Sequence, residues 1–131
     1  VIGRIKNSEG IVDAPIGRHP VKRKCMAVTD KNSKNAVSHY FVERYFPGYT
    51  FVRLRLKTGR THQIRVHMAY IGHPVAGDPL YGGLNKDTEV LSGQCLHAGL
   101  IGFIHPRTGK YMEFEAPLPD YFKEFLKKHE L

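Results

Sequence analysis

A strand that alternates, followed at once by a helix with a clear stop signal, constrains this chain more than any other feature. In FVRLRLKTG, Phe51 to Gly59, Val52, Leu54 and Leu56 alternate with Arg53, Arg55 and Lys57. On a pleated strand this period of two sends the aliphatic groups to one face and the cations to the other. It predicts a half-buried antiparallel strand with a basic outer face. The β-branched and aromatic run Ala36–Phe46, joined to it by the PGY turn at Pro47–Tyr49, is its hairpin partner. A helix is then predicted over Thr61–Ile71, with Thr61 as N-cap and Ile64, Met68 and Ile71 as one buried stripe with His67 beside it. Gly72 ends that helix and Pro74 keeps it from resuming.

The remaining segments fit around this unit. Residues 1–35 are rich in Gly and Pro, with short strands expected at Ile11–Ile16 and Cys25–Thr29. Gly72–Gly83 reads as a structured loop and Asn85–Gly93 as a polar, mobile one. A second hairpin is predicted from Leu96–Ile104 and Tyr111–Ala116 around the HPRTGK turn, with Met112 and Phe114 pointing inward. PDYFKEFLKKHEL reads as an amphipathic helix burying Phe122, Phe125 and Leu126. No repeat or dividing linker is visible, so the 131 residues read as one domain. The predicted class is α+β: a mixed, mostly antiparallel sheet built of hairpins, with two or three helices.

Charge narrows the partners. Lys and Arg number 20 against 12 Asp and Glu, a balance that favours a polyanion. RHPVKRK, Arg18 to Lys24, concentrates that charge on an irregular stretch, so Arg18, Lys22, Arg23 and Lys24 are candidate phosphate contacts. Cys25 and Cys95 have neither metal nor CxxC spacing and read as thiols of a reducing compartment. No signal-peptide pattern and no apolar run near the ~18 residues of a membrane span is present, so a cytoplasmic location and no membrane partner are expected. His62 and His67 are too far around a helix to share a ligand, and HxxxH, HExxH and GxxxxGK patterns are missing, so no metal site or nucleotide cofactor is expected.

The densest chemistry lies in TGRTHQIRVHM, Thr58 to Met68. Arg60, His62 and Gln63 stand where strand gives way to helix, and either contact RNA phosphate or base there or cap the helix locally. Arg65 projects about 140° around the helix from Arg60, so the two arginines cannot serve one exposed face. Arg65 adjoins the buried stripe and is the arginine expected to turn inward, where it needs a carboxylate. Asp78 of GDPLYG is the best internal candidate, although an aspartate there also suits a turn.

With these residues laid out, LKTGRTHQIRVHMAYIGHPVAGDPLYG, Leu56 to Gly82, closely resembles the C-terminal motif of the RluA/RluD-type pseudouridine synthases. RHPVKRKCMAV at Arg18–Val28, LHA at Leu96–Ala98 and HPRTGK at His105–Lys110 fit the same family in the same order. The RHPxKR stretch leans toward the RluD-like branch that acts on large-subunit rRNA, with tRNA the alternative substrate. The resemblance implies isomerisation of uridine to pseudouridine in RNA without a cofactor. The target base is flipped into a pocket. An aspartate attacks, the glycosidic bond breaks, and the uracil rejoins through C5. It further implies that Arg65, the last arginine of GRTHQIR, pairs with that aspartate and is catalytic.

The family's HRLDxxTSG and KxYxA-like motifs, which carry the aspartate and a stacking tyrosine, do not occur in this sequence. The expectation is therefore the C-terminal portion of a catalytic domain, inactive alone, with sheet edges and apolar surface left uncovered and a tendency to self-associate. Two readings compete with it: a stand-alone RNA-binding module without catalysis, and a domain that binds an acidic protein.

Overall fold

The computed structural model describes residues 1–130. They form two compact units, 1–95 and 96–130. The boundary falls just after the polar Asn85–Gly93 stretch, with no Pro- or Ser-rich linker to signal it. The class is α+β as expected, but the strands form three small sheets rather than one, and every strand pairing described is antiparallel.

In the first unit β1 (Glu9–Asp13), β5 (Val37–Phe46) and β6 (Tyr49–Leu56) form one sheet in the order β1-β5-β6. The expected hairpin holds, with Phe46 opposite Tyr49 and Ser38 opposite Leu56. A bulge between Val42 and Arg44 leaves Glu43 without an opposite residue, and its carboxylate accepts from Arg53 Nε at 2.8 Å. Short strands β2 (Ile16–Arg18), β3 (Met26–Val28) and β4 (Ser33–Lys34) form a second sheet with β2 in the middle. The strand expected over Ile11–Ile16 is broken at Ala14–Pro15, which carries the chain from one sheet to the other.

The helix α1 (Gln63–Tyr70) is shorter than the predicted Thr61–Ile71. Its buried residues are Gln63, Val66, His67 and Met68, whereas Ile64 and Ile71 are only partly buried. The buried face is thus rotated from the aliphatic stripe toward Gln63 and His67, because hydrogen bonds there hold the helix to the sheet. Val66 packs with Ile16 and Ala36, and Met26, Val28 and Tyr81 flank them. Gly72 ends the helix as expected: it adopts φ +89°, with its N–H on the Ala69 carbonyl and the His73 N–H on Met68. The Asn85–Gly93 segment, expected to be a polar loop, contains a turn in which Asn85 Oδ1 accepts from Thr88 N–H while Thr88 Oγ1 accepts from Asn85 N–H.

In the second unit β7 (Leu100–Ile104) and β8 (Tyr111–Glu115) make the second hairpin, four residues shorter at its start than expected. Phe114 is half exposed rather than inward, stacked on Phe103 at 5.8 Å. Helix α2 (Asp120–Lys128) buries Phe122 and Phe125 as its amphipathic pattern requires. No described helix is long and apolar enough to cross a membrane.

One buried relay ties α1 to β5 and to the Ala14 link between β1 and β2. Gln63 Nε2 donates to Ser38 Oγ at 2.9 Å, Ser38 Oγ lies 2.7 Å from His67 Nδ1, and His67 Nε2 lies 2.8 Å from the Ala14 carbonyl. A carbonyl only accepts, so Nε2 carries the proton and Nδ1 accepts from the serine hydroxyl. His67→Leu would leave the Ala14 carbonyl and the Ser38 hydroxyl without their partner in the interior. We expect it to lower unfolding free energy by about 2–4 kcal/mol in urea titrations.

Candidate functional site

The site starts at the corner between β6 and α1. His62 is the helix N-cap, in the left-handed region at φ 56° and ψ 22°. Thr61, the expected cap, stands one residue before it, and His62 makes no side-chain capping hydrogen bond. Gln63 takes over that task. Its Oε1 accepts from Thr58 Oγ1 at 2.7 Å and from Arg60 N–H at 2.9 Å, and its Nε2 donates to the Val37 carbonyl and Ser38 Oγ. Gln63 is 3% exposed, with both amide atoms in use. The expectation that it contacts RNA is therefore corrected: it staples the corner and has no free polar atom to offer.

Arg65 turns inward as predicted, and Asp78 is its partner. Arg65 Nε donates to Asp78 Oδ2 at 2.7 Å and Nη2 to Oδ1 at 2.8 Å, with the two side chains 12% and 0% exposed. Asp78 also shapes its own loop, accepting from the Leu80 and Tyr81 N–H groups. Burial works to raise the Asp78 carboxyl, but Arg65 and these two N–H groups outweigh it and hold its pKa below the ordinary carboxylate value. Gly83 closes the loop: its N–H bonds the Asp78 carbonyl, and a Cβ there would collide with the Val75 carbonyl.

Side-on pairing has a geometric consequence. Nε and Nη2 face Asp78, which leaves the other edge of the guanidinium, Nη1 and the second Nη2 proton, without a described partner. Nη1 is not among the enclosed unpartnered atoms of the described residues, and the Arg65 side chain is 12% exposed. That edge has the fork shape that takes a carboxylate or phosphate bidentately.

Tyr81 packs against the Ile16–Ala36–Val66 core and carries polar contacts too. Its ring lies 5.1 Å from Arg65 Cζ, its hydroxyl accepts from Met26 N–H at 2.9 Å, and it sits 2.7 Å from His62 Nδ1. Burial first, and the nearby Arg65 charge second, lower the His62 pKa below its ordinary 6.5. His62 is thus neutral at pH 7, accepts the tyrosine proton at Nδ1 and keeps an N–H donor at Nε2. The signal for Tyr81 was Asp78 three residues earlier, whose turn brings the LYG tyrosine back onto the helix.

The basic candidates separate. Arg60 donates Nε to the Asn35 carbonyl at 2.7 Å, and Arg18 donates Nη1 to the Arg23 carbonyl at 2.8 Å. Both line one concavity of about 390 Å³. Lys22, Arg23 and Lys24 are exposed and do not line it. The His19 ring shapes their loop by accepting from the Val21 and Lys22 N–H groups.

Two measurements check this geometry. Because the folded pKa of His62 is depressed, its contribution to stability is complete above pH 6.5 and is lost as pH falls through the folded pKa. An NMR titration should therefore place His62 below 6.5. Tyr81→Phe removes the hydroxyl bridging His62 and Met26, and should lower unfolding free energy by about 1–2 kcal/mol. A His62 midpoint at or above 6.5 would contradict the buried, Arg65-facing ring.

Comparison with known proteins agrees with the motifs. Residues 2–70 match the RNA pseudouridylate synthase family. The chain is 54% identical over 126 residues to an RNA pseudouridine synthase of Bacillus subtilis, YlyB, whose own name calls it uncharacterized. It is 50% identical over 133 residues to the ribosomal large subunit pseudouridine synthase D of Pseudomonas aeruginosa. These matches take in 96% and 93% of this chain but 41% of each relative, so the chain spans less than half their length. The solved structure of human RNA pseudouridylate synthase domain containing 1 superposes with a TM-score of 0.76 at 28% identity, over 88% of this chain and 51% of that one. With the strand-to-helix corner, the buried Arg65–Asp78 pair and these matches in hand, the chain belongs to the RNA pseudouridylate synthase family.

Proposed function

We propose that this chain is the C-terminal portion of the catalytic domain of an enzyme that converts uridine to pseudouridine in large-subunit ribosomal RNA. The observation that carries the reading is the Arg65 guanidinium held side-on by Asp78, with Nη1 left without a described partner. In the proposed reaction the nucleophilic aspartate lies outside the 131 residues and docks on the Nη1 edge. Arg65 keeps it ionised and aimed at the nucleotide. The glycosidic C1′–N1 bond breaks, a C1′–C5 bond forms, C5 gives up its proton and N1 takes one up. Substrate and product are isomers, so the reading includes no cofactor. The half-identical relative named for the large ribosomal subunit supports rRNA over tRNA, and we place the reaction in the cytoplasm.

The second unit supports the partial-domain reading. Ile101 and its cross-strand partner Phe114 are exposed on one face of the β7–β8 hairpin, and Leu100 and Ile104 on the other, so both faces leave apolar side chains open. We propose that the rest of the catalytic domain covers them, and that the isolated chain self-associates through them.

Arg65→Lys in the full-length protein is the informative substitution. Lysine preserves the charge beside Asp78, but a point charge cannot hold two carboxylates by their edges. We expect pseudouridine formation on rRNA to fall by about 100-fold or more, mainly in kcat, with a well-folded protein. Wild-type turnover by Arg65→Lys would overturn the assignment of Arg65, and turnover by residues 1–131 alone would overturn the missing nucleophile. Tight rRNA binding by full-length protein that makes no pseudouridine would favour the non-catalytic RNA-binding module.

A further inference from the structure

The basic residues of this chain are not spread evenly, and one cluster lacks any acid. The outer face of the β5–β6 hairpin carries Arg53 and Arg55, and acids also lie there, Glu43 paired with Arg53 and Glu9 with His39. The concavity between the β2–β3–β4 sheet and the 59–61 corner differs. Arg18, Lys34 and Arg60 all line it, no acidic residue does, and among the described residues no carboxylate pairs with any of the three. Like charges gathered without counter-charge repel one another, and an anion seated among them would relieve that repulsion.

The concavity is also built. Both arginines are held by one N–H each to a backbone carbonyl, Arg18 to Arg23 and Arg60 to Asn35, which leaves their other donors for a ligand. Gly17 in β2 lets the turn after β3 approach: a Cβ at Gly17 would lie 2.9 Å from Thr29 Cγ2 and 3.0 Å from the Lys31 and Asn32 carbonyl oxygens. Asn32 lines the space at φ 47°, and His62, next to the lining residue Thr61, is the other non-glycine residue at positive φ among those described. Strain of this kind is retained where surrounding structure fixes a functional shape. The volume of about 390 Å³ suits one nucleotide unit rather than a bare ion.

We infer that Arg18, Lys34 and Arg60 form a subsite for one internucleotide phosphate of the RNA strand, with Asn32 and the Gly17 floor accommodating its ribose. The inference rests on the RNA-modifying reading above and deepens it. Met26 connects the two places, since it lines the concavity and its N–H holds the Tyr81 hydroxyl. The strand that presents the target nucleotide near Arg65 is thereby gripped at a neighbouring phosphate.

The test uses the full-length protein, a fluorescent RNA stem-loop that it modifies, and binding measured across a series of KCl concentrations. One phosphate is one unit of counterion release, so the triple variant Arg18→Gln/Lys34→Gln/Arg60→Gln should reduce the log K against log salt slope by roughly 0.7–0.9 in all, not by three such steps. Lys34→Gln alone, which disturbs no described contact, should weaken RNA binding in the same direction. Lys128→Gln, on α2, should leave the slope unchanged. An unchanged slope in the triple variant, or a loss of about three steps, would overturn the shared subsite. Saturable binding of free uridine monophosphate that the triple variant abolishes, with the RNA slope intact, would reassign the site to a free nucleotide and overturn it equally. Pseudouridine formation measured in parallel separates the two claims. Wild-type protein without product defeats the enzyme reading, whereas product with an unaltered triple-variant slope and KM defeats only the subsite.

Discussion

The site depends on burying one carboxylate. Asp78 is fully enclosed, and an isolated carboxylate there would be strongly disfavoured. Three groups make the burial tolerable: Arg65 across two charge-assisted hydrogen bonds, and the N–H groups of Leu80 and Tyr81. In return Asp78 fixes two things at once. It sets the turn that swings Tyr81 onto α1, and it freezes the rotamer of Arg65, which on a helix surface would otherwise sample many. Arginine rather than lysine is required, because only a planar fork can bond one partner along its side and still present an edge to another.

How much of this was legible in the sequence depends on whether local spacing or tertiary hydrogen bonding decided the outcome. The β5–β6 hairpin was legible because alternation and the Pro-Gly turn are local signals, and the end of α1 because glycine at positive φ is local too. The inward turn of Arg65 and its pairing with Asp78 followed from angular position and scarcity of acids, an argument that needed no coordinates. The two readings of Gln63, RNA contact or local capping, stayed open because residue type alone cannot tell an amide facing RNA from one facing Val37 and Ser38. The same relay overrode the Ile64–Met68–Ile71 stripe: three buried hydrogen-bonding side chains set the rotation of α1, and partial exposure of two isoleucines is a small cost beside an unsatisfied glutamine or histidine. Phe114 illustrates a different limit. Alternation in β8 correctly separates two faces, but nothing in it states whether the apolar face is covered within these residues.

Lys34 and Asn32 escaped the sequence reading for a related reason. RHPVKRK attracts attention by density, yet only Arg18 of its basic candidates reaches the concavity, while Lys34 arrives from another strand through its place opposite Ile16. Electrostatic function here follows the absence of acids around a cation more than the number of cations in a row. Arg53 in its balanced pair is a sheet residue, and Lys34 without a pair is a ligand residue, although both lie on strands and both are exposed.

The two halves of the proposed site also answer one another electrostatically. Docking a nucleophilic aspartate on the free edge of Arg65 would place two carboxylates on one guanidinium, a net negative cluster. Like charge at that range raises the pKa of one of the pair and would draw a proton onto the group that has to attack. Asp78 resists that role, since its two backbone N–H bonds favour its ionised form independently of Arg65. The pressure therefore falls on the incoming carboxylate. His62 does not relieve it, being neutral and committed to Tyr81. Fixed positive charge without a carboxylate partner would relieve it, and Arg18, Lys34 and Arg60 are such cations within the same unit of the fold. An RNA phosphate seated among them would neutralise part of that charge, so the subsite needs an excess of cations over the one phosphate it binds. Three cations for a single phosphodiester meet that requirement.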